Sequence, residues 1–373
     1  MLVTVLVGSL LLQGVSGALA FDRSWELTGD GTKIAPHRGV DAVWIDNGRA
    51  IRRDVSLADG TIEFDVELKS HRSFVYLQFR MESDTEFEEF YFRPHKTGLP
   101  DAVQYNPVWR GDSFWQLWHG PDAVASPKFQ FGRWTRVRLE LQGQRGALFL
   151  DNGAKPVLVM NLARPTRTGY LALRSFNPDP SLPPGDVAAR FANVVVRPGV
   201  VSYDFGAPTP APVHEPGSIL RWQVSPAFKG SREPLTQLPS DILTTRAQWP
   251  VYPVERSGVV AIGRFMDRPR PDGAAIARLV IRSSGSRLQR LHLGYSDYVT
   301  VFVNGAPIFA GDAHYSFDQP RQEGLIARSQ AMLWLPLRDG ENEVLLAVVD
   351  FFGGWALTGR LEPSDGGVLV PPP

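Results

Sequence analysis

The chain contains no cysteine. That excludes disulfides, thiolate nucleophiles, cysteine-ligated zinc and iron–sulfur clusters. It has no excess of either charge: Lys and Arg number 39, as do Asp and Glu, for a formal net charge of zero. A general nucleic-acid binder needs a basic surface to neutralise phosphates, so no nucleic-acid partner is expected. Lysine is scarce, occurring only as Lys33, Lys69, Lys96, Lys128, Lys155 and Lys229. The working cation is therefore arginine, whose planar fork suits carboxylate and phosphate. Beyond the first twenty residues no long apolar run exists, so no membrane span is expected once that segment is removed. There is no G-x-S-x-G, Walker A or EF-hand loop. The seven histidines show no metal spacing, and His214-Glu215 precedes Pro216, which bars a zincin helix. Arg110-Gly111-Asp112 spells an integrin-type tripeptide, too short to carry weight alone.

What is present is punctuation and alternation. The 373 residues include 35 Gly and 31 Pro, which suits many short strands joined by turns. With hydrophobic residues at 43% and charged ones at 21%, the chain has enough apolar surface to fold. Ile62, Phe64, Val66 and Leu68 alternate with Glu63, Asp65 and Glu67. Val75, Leu77, Phe79 and Met81 alternate with Tyr76, Gln78 and Arg80, and Val137, Leu139 and Leu141 with Arg136, Arg138 and Glu140. Further short strands are read at Leu148–Leu150, Val157–Met160, Tyr170–Arg174 and Phe191–Val196. Period-two patterning of this kind means half-buried strands. Gly206–Gly217 holds four prolines and reads as a linker. A second strand series follows, clearest at Tyr298–Val303 and Ala306–Phe309 around Asn304-Gly305, the signature of a type I′ hairpin. Met332–Leu337 and Asn342–Asp350 continue it. The expected fold class is all-β, two β-sandwich (jelly-roll) domains in tandem: 21–205, a linker at 206–217, 218–363, and a fraying tail at 364–373.

Residues 1–20 carry an apolar run, Leu2–Leu12, then Ala18-Leu19-Ala20. Small residues at those two spaced positions are what signal peptidase accepts, although no Lys or Arg precedes the run. A signal peptide at 1–20 and a mature chain from Phe21 are expected, which makes the product secreted or periplasmic.

Candidate chemistry lies in three places. Glu63, Asp65 and Glu67 share one strand face, where two carboxylates could act on a glycosidic bond. The same pattern fits a solvated outer face, the reading preferred here, so no catalytic residue is assigned. In FEEFYFRPH, Tyr91 and Arg93 share a face, and Pro94 ends the strand near a sheet rim. On the concave face, Arg80, Tyr91, Arg93 and His95 would lie close together. The segment that follows supplies Gln104, Tyr105, Asn106, Trp109, Phe114, Trp115 and Trp118. Aromatic faces stack on sugars while amides and Arg fix hydroxyls or carboxylates, so this segment is the expected ligand site. In the second half, Trp355 follows Phe351-Phe352-Gly353-Gly354 and serves as a sugar platform or a core plug, with the plug favoured. Asp297 and Asp350 are the weak candidates for a metal.

The first half, through DGTIEFDVEL (Asp59–Leu68), SFVYLQFRM (Ser73–Met81) and FGRWTRVRLELQGQRGALFLDN (Phe131–Asn152), resembles the concanavalin A-like lectin/glucanase superfamily in its laminin-G-like branch. Phe90–Gly120 resembles a stretch in exported bacterial proteins of unassigned function. The second half, through LHLGYSDYVTVFVNGAPIF (Leu291–Phe309) and LPLRDGENEVLLAVVD (Leu335–Asp350), looks like a galactose-binding-like jelly roll. Family 16 glycoside hydrolases, on the first fold, carry an acidic strand signature similar to Glu63–Glu67. The resemblances imply a bacterial, non-catalytic carbohydrate-binding protein with its ligand on the concave face or rim of the first sandwich. They leave two alternatives, a glycoside hydrolase or lyase in that groove and a structural or protein-interaction module. No cofactor is implied, though both superfamilies leave room for a structural calcium.

Overall fold

The computed structural model describes residues 17–179, 181, 189–316, 318–319, 323–363 and 367–370. Strands dominate, and among the described residues the one α-helix is Ser240–Thr244. The all-β class is what the alternation requires: each strand has an apolar face and must bury it against another sheet.

The chain divides into two compact units. The first holds residues up to Gln104 together with Asp122–Gly206; the second holds Tyr105–Pro121 together with Ala207 onward. The division at Gly206 coincides with the start of the proline run. Tyr105–Pro121, read from sequence as part of the first sandwich, groups with the second unit instead.

In the first unit, one sheet runs in the order Leu158–Asn161, Arg145–Leu150, Trp134–Gln142, Gly60–Glu67, Ala189–Pro198, Val40–Ile45, Lys33–His37. The other includes, in order, Glu86–Phe92, Phe74–Ser83, Gly169–Phe176, Gly48–Leu57 and Glu26–Thr28. Ile62, Phe64, Val66, Val137, Leu139 and Phe191 from the first sheet, and Leu77, Phe79, Phe90, Leu171 and Leu173 from the second, are all completely buried. Ser175 Oγ donates to the Ile45 carbonyl at 2.7 Å, joining the two sheets.

In the second unit, Val251–Pro253, Arg221–Val224, Gly273–Ser283, Gly340–Asp350, Tyr298–Val303 and Ala306–Asp312 form one sheet. Val260–Ala261, Ala356–Leu361, Arg287–Ser296 and Ala331–Leu337 form the other. One core cluster joins them, with Trp222, Val301, Leu335, Leu346 and Trp355 among its members. The Asn304-Gly305 turn has φ values of 51° and 85°, with Val303 opposite Ala306, as a type I′ hairpin demands.

One sequence expectation changes. The tail was expected to fray, yet Gly367–Val370 is a strand antiparallel to Val280–Ser283. The free N–H and C=O groups of a strand edge are templates for such an addition. At the other terminus, Leu2–Leu12 lies outside the described residues. The start of the described chain is held by the first sheet: Gly17 and Ala18 pair with Val196 and Val195, and the Leu19 N–H donates to the Val194 carbonyl at 2.8 Å.

Candidate functional site

Glu63, Asp65 and Glu67 do share a face, the one turned away from the core of the first sheet. Arginines cover all three. Arg136 reaches Glu63 at 3.0 Å and Asp65 at 3.3 Å, and Arg197 reaches Glu63 at 2.6 Å. Glu67 is buried between His37 at 2.5 Å and Arg38 at 2.9 Å, with Arg190 at 3.6 Å. Burial alone would raise the carboxyls of Glu63 and Glu67, but bonds from Arg197 and Arg136 bring Glu63 below the usual range. Arg38 and His37 do the same for Glu67. A general acid has to keep its proton near neutrality, and these groups are pushed the other way. Sequence reasoning missed the surroundings of Glu67. There His37 lies edge-on to Trp44 and Trp134 at 5.4 and 5.5 Å, and Arg190 lies over Trp44 at 4.0 Å.

The ligand candidates separate into two groups. Tyr91, Arg93, His95 and Gln104 come together on the second sheet, on the face turned away from the core. The Tyr91 hydroxyl donates to Gln104 Oε1 and accepts from Arg93, each at 2.8 Å. Arg93 also binds Asp101 at 2.7 Å and lies over the Tyr91 ring at 4.9 Å. His95 sits edge-on to Phe74 at 5.6 Å. Burial, aided by the charges of Arg72, Arg93 and Lys96, pushes His95 down to about 4, so its ring is neutral at pH 7. Arg80 does not join them. Positive φ at Arg80 and a register shift beyond Phe79 break the alternation. Its buried guanidinium instead binds the Ala58 carbonyl at 2.6 Å, Asp59 at 3.1 Å and the Gly143 carbonyl at 2.7 Å, pinning two turns.

Sequence reasoning missed the rest of this face. Register puts Tyr76 opposite Tyr91 and Gln78 opposite Glu89. The Tyr76 and Tyr91 rings are 5.0 Å apart, and Gln78 Nε2 donates to Glu89 at 2.8 Å. Burial pushes the Tyr76 hydroxyl up to about 12 and raises Tyr91 as well. Arg174 faces Tyr76 across one strand pair and Arg49 across the next. Its guanidinium lies over the Tyr76 ring at 4.7 Å, and that of Arg49 lies over Phe87 at 5.8 Å. Alternation places Arg174 outside Leu173, a signal available in the sequence. Its neighbours come from strands distant in the chain, and no local pattern reveals them.

The second group of candidates is built into the second unit. Phe114 packs so tightly on Gly263 and Gly354 that an added Cβ would stand 2.9 and 3.3 Å from its atoms. Trp109 lies edge-on to Phe114 at 5.1 Å and 5.5 Å from Trp118, with Arg264 over its ring at 5.3 Å. Trp115 meets Tyr315 at 5.4 Å and Phe352 at 6.3 Å. Tyr105 is fully buried, and Asn106 accepts from the Phe114 N–H and donates to Ser113. Gln116 accepts from Ser296 Oγ at 2.9 Å, and Asp112 meets Arg268 at 3.1 Å and Arg270 at 2.6 Å. This is interior and edge packing of the second unit. Trp355 is likewise a plug, fully buried, its indole N–H on the Val348 carbonyl at 3.0 Å.

Asp297 and Asp350 are both buried in the same unit. Burial raises Asp297 to about 6, against the N–H bonds it accepts from Phe351 and Phe352. Burial and then the neighbouring Asp297 charge raise Asp350 well above the usual range, although Arg268 lies 3.0 Å away. A calcium ligand set needs ionised oxygens turned to one point. Here amide donors hold Asp297 Oδ2 and the Arg268 guanidinium faces Asp350 Oδ2, while the buried Asp350 Oδ1 has no hydrogen-bond partner among the described residues. Among the described residues no cluster of three or more acidic or histidine side chains could hold a metal, and no helix is long and apolar enough to cross a membrane.

No family model matches this chain, and no curated protein matches it. Solved structures similar to it include the carbohydrate-binding module CBM66 of Bacillus subtilis, at 17% identity and a TM-score of 0.35, over 46% of this chain and 94% of that one. A mixed-linkage glucan GH16 protein of Bacteroides ovatus is 10% identical with a TM-score of 0.36, over 48% and 96%. A galectin of Caenorhabditis elegans is 12% identical with a TM-score of 0.28, over 46% and 98%. At such values the function has to be argued from the residues themselves.

Proposed function

We propose that this is a non-catalytic carbohydrate-binding protein whose ligand meets the outer face of the second sheet in the first unit. The observation that carries the reading is the composition of that face. Phe74, Tyr76, Tyr91 and His95 supply rings; Gln78, Gln104 and Arg93 are buried and bonded to Glu89, Tyr91 and Asp101, and the half-buried guanidiniums of Arg49 and Arg174 supply the donors. Sugars are bound by this pairing of apolar ring faces with a few placed polar groups. A hydrolase would need two carboxyl groups flanking one groove, one of them holding its proton. The acidic trio lies on the other sheet, and Glu63 and Glu67 are held ionised there.

A glycan array probed with the purified chain tests this. Binding to at least one glycan, lost in Tyr91→Ala while the variant stays folded, is the expected result. Turnover of a glycan by the parent chain that vanishes in Glu63→Gln would replace the reading with the hydrolase.

Export is proposed with it, with cleavage after Ala20. The sheet contacts of Gly17–Leu19 make the exact cut informative. N-terminal sequencing of secreted material should begin at Phe21, and material beginning at Met1 would end the idea.

A further inference from the structure

The charges on the first unit's sheets follow a rule with one exception. Arg136 stands directly opposite Asp65 and binds it at 3.3 Å. Arg190 stands opposite Glu67, 3.6 Å away. Opposite charges on facing positions stabilise a strand pair, and like charges destabilise it. Yet Arg49 stands opposite Arg174 on adjacent strands, on the same outward face. Both are half-buried. Among the described residues neither guanidinium has a hydrogen-bonded or ion-paired partner, and each rests only on a ring, Phe87 or Tyr76. Burial, and then the neighbouring Arg174 charge, lowers the proton affinity of Arg49. Two carboxylates act on Arg49 without bonding it: buried Glu89, which accepts from Gln78, and Asp84, which binds Arg53.

A cation pair with no bonded carboxylate in a partly desolvated place is costly unless an anion completes it. We propose that Arg49 and Arg174 form a subsite for the carboxylate of an acidic sugar, so that the glycan bound by this protein is a uronate-type or similarly carboxylated one. The inference rests on the carbohydrate-binding reading above and deepens it. Each forked guanidinium presents N–H donors that match the oxygens of a carboxylate. The Tyr76 and Tyr91 rings, adjoining Arg174 on the same face, then lie where the sugar ring of that carboxylate would rest.

The test compares three oligosaccharides by calorimetry: an oligouronate, the same chain with its carboxyls reduced to alcohols, and a sulfated neutral oligosaccharide. The oligouronate should bind about ten- to a hundredfold tighter than its reduced counterpart, the range expected when a charge-assisted hydrogen bond is lost. Arg174→Gln and Arg49→Gln should each erase that preference, and Arg174→Lys should restore only part of it, because charge remains and the fork does not. Without ligand, Arg49→Gln should melt higher than the parent by about 1–4 °C, since a like-charge contact is removed. That readout does not depend on finding the right sugar. Equal affinity for the oligouronate and its reduced form, unchanged in the Arg variants, overturns the inference and leaves the carbohydrate-binding reading intact. Tighter binding of the sulfated chain overturns the carboxylate assignment. Failure of the chain to bind any glycan overturns the broader reading and the inference with it.

Discussion

The Tyr105–Pro121 segment and the outer face of the first unit's second sheet hold the same kinds of side chain and use them differently. In the segment the groups find partners inside the fold: Phe114 against Gly263 and Gly354, Gln116 on Ser296, Asp112 on Arg268 and Arg270. On the sheet face, Arg49 and Arg174 stand opposed, each guanidinium over a ring and without a bonded carboxylate. The lesson is that density of Trp, Tyr and Arg does not mark a binding surface. On the proposed reading, what marks it is a guanidinium pair left without a bonded partner, because internal bonding is the usual fate of buried donors.

The largest effect that would break this comparison is in the segment. Phe114→Ala should destabilise the second unit by about 3–5 kcal/mol, the usual cost of a buried Phe cavity. Its glycan affinity, measured on folded protein, should be unchanged. Loss of binding without loss of stability, seen by denaturant unfolding beside calorimetry, would return the ligand site to the segment.

Next come two opposite pH slopes. His95 in the folded first unit takes its proton only near pH 4, whereas an unfolded chain takes it near 6.5. Between those values the unfolded state binds more protons, so stability falls as pH drops through the window, by about 1.4 kcal/mol for each unit of separation. Asp297 runs the other way. Its folded value of about 6 lies above the ordinary 3.8, so the folded second unit holds the extra proton, and stability falls as pH rises from about 4 to about 6. Hydrogen exchange at the amides of Phe74–Ser83 and of Tyr298–Val303 should therefore show opposite trends across this range. His95→Phe should flatten the first slope and Asp297→Asn the second. Parallel slopes in the two parent segments would contradict both assignments.

The smallest effect sharpens the contrast between the two sheets of the first unit. Glu63→Gln removes a partly exposed carboxylate shared by Arg136 and Arg197. It should change stability by no more than about 1 kcal/mol and glycan affinity not at all, by chemical denaturation and calorimetry respectively.

Much of the fold was legible. Glu63 and Asp65 outside Phe64, the Asn304-Gly305 turn and the strand at Tyr298–Val303 all follow from period-two alternation and positive φ. Of the candidate site, Tyr91, Arg93, His95 and Gln104 were legible because they lie within one short stretch that turns at Pro94. Arg80 was misplaced because a bulge shifts parity without a mark in the sequence. Tyr76, Arg49 and Arg174 were missed as a group because three distant strands bring them together.

By itself, then, the sequence determined the class: a cysteine-free, charge-balanced, alternating chain can bury its apolar residues only by stacking sheets, and local sterics decide its turns. Tertiary structure decided which polar groups are bonded inside the fold and which are not. Strand register set Arg174 against Arg49 rather than against a carboxylate. Register depends on which strands pair, and pairing is settled by the burial of whole faces, a quantity no local stretch of residues contains.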